Sequence, residues 1–176
     1  MVLFETERLT VRRFTANDSE LFYQLNGNPD VVHFIRPVKT REESDTFLQE
    51  NLNFYLDTSC LGRFAVFVKD GGRFIGTFSF LYLSGDADFH LGYALLPQAW
   101  GQGFATELVI SGIPYFFART DKDIVFAITS AANKASQRVL LKSGFLYKGQ
   151  VEEHGQTLEL FYINRNLGSR NDIENE

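Results

Sequence analysis

Cysteine is almost missing from this chain of 176 residues: Cys60 stands alone, and methionine and tryptophan occur once each. One thiol can form neither an intrachain disulfide nor a Cys-pair metal site, so Cys60 reads as a small buried hydrophobe rather than a nucleophile. Histidine is also scarce. His33, His90 and His154 lie at spacings that match no metal motif, so no metal is expected. Positive charge is in deficit, with 17 Lys and Arg against 22 Asp and Glu and a net charge of −5. Phosphate backbones need a basic patch, which argues against nucleic acid, whereas an acidic balance suits a cationic ligand. No apolar run approaches the roughly 20 residues that cross a bilayer. The opening MVLFETERL mixes acids and Arg8 with apolar residues, unlike a signal peptide. A cytoplasmic protein without a membrane partner is expected. There is no internal repeat and no linker, so residues 1–167 read as a single domain, followed by a polar tail over 168–176.

The chain is rich in phenylalanine, with 18, and alternates between two periods. Leu9 to Phe14 reads as a first strand. Thr15 with Asp18 marks a helix start, Leu21, Phe22 and Leu25 give that helix an apolar side, and Asn28-Pro29-Asp30 breaks it. A short helical turn is expected over Val31 to Ile35. Thr40 with Glu43 forms a capping box ahead of a helix that presents Phe47, Leu48, Leu52 and Tyr55. The period then becomes two: Phe64 to Val68, a turn at Asp70-Gly71-Gly72, Phe74 to Leu83, a turn at Ser84-Gly85-Asp86, and a fourth strand from Asp88 to Leu95. A central helix runs from Gly103 to about Arg119, with a kink or an early end expected at Pro114. Ile124 to Thr129 is a fifth strand, Asn133 to Ser143 a helix closed by Gly144, and two further strands lie near Phe145–Glu152 and Thr157–Arg165. Antiparallel hairpins therefore meet one parallel pair, strands four and five, across the central helix. The fold class is α+β, a mixed and mostly antiparallel sheet with helices on both faces.

The stretch Leu91 to Val109, LGYALLPQAWGQGFATELV, couples a strand to a glycine-rich turn and then to a helix start. The unbonded N–H groups of a first helical turn, backed by the helix dipole, form an anion site, and Gly101 and Gly103 let backbone approach a phosphate. A nucleotide P-loop would need Lys-Ser or Lys-Thr after the glycines, and none follows. A dinucleotide fingerprint would need a third glycine, and Phe104-Ala105-Thr106 stands there instead. A cradle for the pyrophosphate of coenzyme A fits. So does a tight turn with no ligand, and the loop alone leaves both open.

A second signature follows in Asn133-Lys134-Ala135-Ser136 and Lys142-Ser143-Gly144-Phe145. Together with Gly92-Tyr93, Pro97, the run Trp100 to Glu107 and Glu7-Arg8-Leu9, it resembles the GNAT superfamily of acyl-CoA-dependent N-acetyltransferases, most closely the RimJ/RimL-type branch. The resemblance covers residues 5–165. It implies acetyl-CoA lying between splayed strands four and five, with Gln102, Gly103, Phe104, Ala105 and Thr106 offering N–H groups to the pyrophosphate beside Gly101. Trp100 stands where many relatives have Gln or Arg. Leu95 and Leu96 would bond the pantetheine arm, the Leu95 region would polarise the thioester carbonyl, and Asn133 would contact the cofactor. Glu107 is read as a first-turn cap rather than a catalyst.

Acetyl transfer needs a group to deprotonate an ammonium, donors for the developing oxyanion and a leaving thiolate. A thiol has a pKa near 8.5, so an acid is helpful rather than essential; Ser136 matches the family's serine of that role, or bonds within its own helix. The family pattern puts a glutamate two residues before Gly92, and here that position is His90. An imidazole with an unperturbed pKa near 6.5 can serve as base, directly or through water. The alternative is a strand histidine that faces solvent. Asp88, His90 and Gly92 share one strand face. His33, Phe34 and Tyr55 fall in the region expected to wall the acceptor pocket. The sequence thus reads as an N-acetyltransferase acting on a protein N-terminus or a small amine, as monomer or homodimer. A non-catalytic acyl-CoA-binding module of the same fold, or an enzyme with another acyl donor, are the competing readings.

Overall fold

Eight strands form a single sheet in the order β1-β2-β3-β4-β5-β6-β8-β7. They appear in a computed structural model that describes residues 1–57, 60–83, 88–153 and 155–165. The strands are β1 (Val2–Glu5), β2 (Leu9–Arg13), β3 (Gly62–Val68), β4 (Phe74–Leu83), β5 (Asp88–Leu95), β6 (Ile124–Thr129), β7 (Leu146–Glu153) and β8 (Gln156–Asn164). The helices are α1 (Ser19–Asn26), α2 (Pro29–Val32), α3 (Arg41–Asp57), α4 (Phe104–Arg119) and α5 (Lys134–Lys142). Neighbours are antiparallel except β5 and β6, so the mixed α+β sheet follows the expected class. The turn expected at Ser84-Gly85-Asp86, His154 and the tail fall outside the described residues.

Two cores sandwich the sheet. On one face α4 and α5 bury Leu108, Val109, Ile113, Phe116 and Leu140 against Leu9, Val11, Phe64, Phe78, Phe80 and Leu91. On the other, α1, α2 and α3 bury Phe22, Leu25, Val31, Val32 and Leu48 against Ala65, Phe74, Ala94 and Leu96. Strand alternation produces the division, because adjacent residues of β3, β4 and β5 point to opposite faces. Phe74 does not share the face of Phe78 and Phe80, as strict alternation along β4 would require. A bulge between Val66 and Phe67 shifts the register of β3 on β4 and turns Phe74 toward Phe14 and Phe67.

Local signals place the helix ends. Glu43 accepts from the Thr40 N–H at 2.7 Å and Thr40 Oγ1 from the Glu43 N–H at 3.2 Å, the reciprocal box that starts α3. The short helical turn begins earlier than expected, at Pro29, because Asn28 Oδ1 accepts from Asp30 N–H and proline suits a first helical position. Strand β1 was not expected. Its four residues show no alternation, and its pairing with β2 defines it. Pro114 does not end α4, which runs unbroken to Arg119. An interior proline costs about 3 kcal/mol. Burial of Ile113, Phe116 and Phe117 offsets that at roughly 1.5–3 kcal/mol each. Ile110 and Pro114 both face solvent, so water can take up the carbonyl that loses its helical bond. Gly112, in the same helix, is where the chain meets the sheet: a Cβ there would lie 2.3 Å from the Phe78 ring.

Candidate active site

The parallel pair opens like a fork. β5 and β6 are in register only at His90 with Phe126 and Leu91 with Ala127. From Gly92 to Leu95 the edge of β5 has no partner in β6, and the two strands part toward their C-terminal ends. The turn Pro97–Ala99 and the glycine loop follow at this opening and deliver the N-terminus of α4 to it. Gly101 and Gly103 have φ of +72° and +79°, the left-handed region that glycine adopts without penalty. Gly103 is the N-cap of α4 and has no side chain to spend on it, so no side chain caps the first-turn N–H groups. An uncapped, positively polarised set of backbone donors beside a split in the sheet fits the pyrophosphate and arm of a coenzyme A.

Arg8, whose role the sequence did not disclose, braces this loop. Its Nη1 donates to Gln102 O at 3.0 Å, and its guanidinium lies 4.5 Å from the centre of the Phe104 ring. Glu107 holds Arg8 in turn: Arg8 Nε and Nη2 meet Glu107 Oε2 at 2.7 and 2.6 Å, Arg8 N–H donates to Oε1 at 2.9 Å, and Thr6 Oγ1 also bonds Oε1. Burial would raise the Glu107 carboxyl, but the bonds from Thr6 and Arg8 win and hold it below the usual carboxylate range. Glu107 is thus the anchor of an N-terminal clamp on the loop. Glu7-Arg8-Leu9 carried the only sequence signal for it.

Several expected cofactor contacts already have partners inside the protein. Leu96 N–H donates to Ile75 O at 2.8 Å, and Leu95 O accepts the Trp100 indole N–H at 2.7 Å. Trp100 itself is half exposed and pins the turn to the end of β5. Asn133 Oδ1 caps α5 by accepting from Ser136 N–H at 3.1 Å. Phe104 is buried, Ala105 and Thr106 are half-buried, and Gly101 to Gly103 are exposed.

His90 and Ser136 reach the fork from opposite faces of the sheet. His90 is half-buried on the α1–α3 side, between Leu81 of β4 and Phe126 of β6. Tyr93 and Ser136 are on the α4–α5 side, with Tyr93 Oη 3.0 Å from Ser136 Oγ. Burial, partly countered by the bond to Ser136, pushes the Tyr93 hydroxyl up to about 12, so it keeps its proton at neutral pH. Nothing in the local motif Gly92-Tyr93 signals this partner, which lies 43 residues away along the chain.

The acceptor-side expectations separate. His33 and Phe34 are exposed just beyond α2 and touch edge to face, 4.5 Å between ring centres. Tyr55, by contrast, is buried and stacks on Phe64. Its hydroxyl donates to Arg63 O and accepts from Phe14 N–H, so it ties α3 to β3 instead of lining an open pocket.

The Acetyltransferase (GNAT) domain family matches residues 8–146. The chain belongs to that family. It is 27% identical over 158 residues to "Uncharacterized N-acetyltransferase YoaA" of Bacillus subtilis (strain 168), across 86% of this chain and 87% of that protein. A solved Salmonella typhimurium acetyl transferase, described as modifying the N-terminal serine of a 50S ribosomal subunit protein, has a TM-score of 0.79 and 15% identity over 93% of this chain and 99% of its own. Spermidine N-acetyltransferase from Vibrio cholerae, in complex with CoA and spermine, gives a TM-score of 0.75 and 20% identity over 92% and 98%. At these identities the structural likeness is one of fold.

Proposed function

We propose that this protein is an N-acetyltransferase of the RimJ/RimL-type branch that moves acetyl from acetyl-CoA directly to a primary amine, through the single domain 1–167. The observation that carries the reading is the parting of β5 and β6 after Leu91 and Ala127, beside an α4 N-terminus that no side chain caps. Acetyl-CoA supplies the activated thioester. The N–H groups from Gln102 to Thr106 would hold its pyrophosphate, and Arg8 with Glu107 would keep that loop in shape. His90 would take the proton of the incoming ammonium, directly or through water. Ser136 would donate toward the departing thiolate. Tyr93 Oη, 3.0 Å from Ser136 Oγ, would donate to the serine and so leave the serine proton available for the thiolate.

Calorimetry with acetyl-CoA, alongside thermal melts, tests the reading. Saturation at 100 times Kd should add ~2.7 kcal/mol of stability. Gly103→Val forces a β-branched residue into the left-handed region and should abolish binding in a folded protein. A folded sample that ignores acetyl-CoA at millimolar concentration would sink the proposal. Binding without thiol release across an amine panel would leave a binding module.

A further inference from the structure

The α1–α3 side of the sheet contains a group of positive charges that the transfer chemistry does not use. Arg63 of β3, Arg36 after α2 and Lys39 all converge on one ring, Phe47 of α3, at 4.5, 5.2 and 4.9 Å from its centre. The backbone of Arg63 is clamped from both directions. Its N–H donates to Asn51 Oδ1 at 2.9 Å, and its carbonyl accepts from Asn51 Nδ2 at 3.0 Å and from the Tyr55 hydroxyl. Among the described residues no carboxylate lies within ion-pair distance of Arg63 or Arg36; Arg36 bonds the neutral Asn26 Oδ1 at 2.8 Å, and Glu50 acts on Arg63 only through its charge. Burial, reinforced by the charge of Arg36, pulls the Arg63 guanidinium down to about 10, and burial lowers Arg36 as well. Two desolvated cations side by side carry a cost that a bound anion would relieve.

Arg63 also faces an opening. It lines a cleft of about 140 Å³ with Phe47, Glu50, Asn51, Phe54 and Leu81. At roughly 30 Å³ per water, such a space admits a carboxylate and a few methylenes. Leu81 is the cross-strand neighbour of His90, and Arg63 is the neighbour of Ser79, which pairs with Gly92. The cleft therefore adjoins the face on which the proposed base stands. β3 and β5 are two strands apart, about 10 Å between axes, so an amine at β5 and an anion at Arg63 belong to one molecule only if several bonds separate them.

We propose that Arg63, with the charge of Arg36 added to its own across Phe47, forms an anion subsite of the acceptor cleft, which takes the carboxylate of a small amine whose nitrogen is several bonds away. The inference rests on the acetyltransferase reading for its amine end. A guanidinium suits this task because its planar fork matches a carboxylate and its charge does not titrate away.

The probes are 6-aminohexanoate and its neutral amide, titrated calorimetrically into the full chain saturated with coenzyme A, which carries no acetyl group to transfer, after acetyl-CoA affinity has been measured on a separate sample. The acid should bind about tenfold more tightly than the amide or better. Arg63→Gln, with its fold checked by melting, should remove the preference while leaving acetyl-CoA affinity as it was. Arg36→Gln provides the same comparison if Arg63→Gln does not fold. Equal binding of acid and amide, no binding of the acid, or a preference retained in a folded Arg63→Gln protein would each overturn the subsite. Loss of acetyl-CoA binding in the wild type strikes the acetyltransferase reading instead, so the two failures are distinguishable.

Discussion

The two faces of the sheet are built on different physics. The α4 face is apolar and tightly packed, with Phe78, Phe80 and Phe116 in ring contact and Gly112 pressed against Phe78. Its polar groups near the opening are mostly backbone, in the left-handed Gly103 and the N–H groups it leaves uncapped. The α1–α3 face is built around buried and half-buried polar groups: Arg12 with Asp18, Arg36 with Asn26, and Asn51 with the main chain of Arg63. Under the proposed function, the backbone of the first face would meet the cofactor and the side chains of the second face would meet the acceptor.

The largest effect should come from cutting chemistry on one face while leaving the other intact. Truncation of His90 (His90→Ala) should lower turnover by roughly 10²–10⁴-fold, with acetyl-CoA affinity in calorimetry little changed. Unaltered turnover would remove His90 from the reaction and place the division between the faces elsewhere. Gly112→Ala attacks the opposite side. The added methyl overlaps the Phe78 ring, and urea unfolding should show a loss of about 1–3 kcal/mol from overpacking. A neutral result would mean that α4 can ride away from the sheet, and the contrast in packing would fall.

Acid should loosen both faces by a smaller amount. The Arg12 bond, together with those from Thr15, holds Asp18 below its ordinary value on one side. Glu107, against its burial, is held low by Thr6 and Arg8 on the other. A carboxyl whose folded pKa is depressed adds stability above its unfolded pKa and loses it as pH falls through the folded one. Melting temperature should therefore stay level from neutrality to about pH 5 and drop below about pH 4. Asp18→Asn should remove one share of that drop and Glu107→Gln the other. A curve indifferent to both variants would show that neither ion pair persists in solution.

Much of the fold was legible because most strands and helices announce themselves through a local period. The capping box at Thr40 and the left-handed Gly144 after α5 need no distant partner to be recognised. The early end that Pro114 suggested does not occur, because its penalty is local while the burial that overrides it comes from the sheet. β1 was missed for a similar reason: four residues without alternation become a strand only when β2 lies alongside. In the site, the glycine loop was readable as a turn able to hold an anion. The clamp of Arg8 and Glu107 was not, since 99 residues separate its members.

By itself the sequence determined the order of the elements from β2 onward, the parallel pair amid antiparallel strands, the glycine loop at a helix start and the family motifs. These depend on periods, on φ angles that only glycine tolerates and on residue spacing, all properties of contiguous chain. Tertiary structure decided which side chains meet: that Tyr55 lies in the core, that Tyr93 reaches Ser136, and that Arg36 and Arg63 gather on Phe47. Such meetings follow from strand register and helix docking, which bring together residues whose separation along the chain carries no signal.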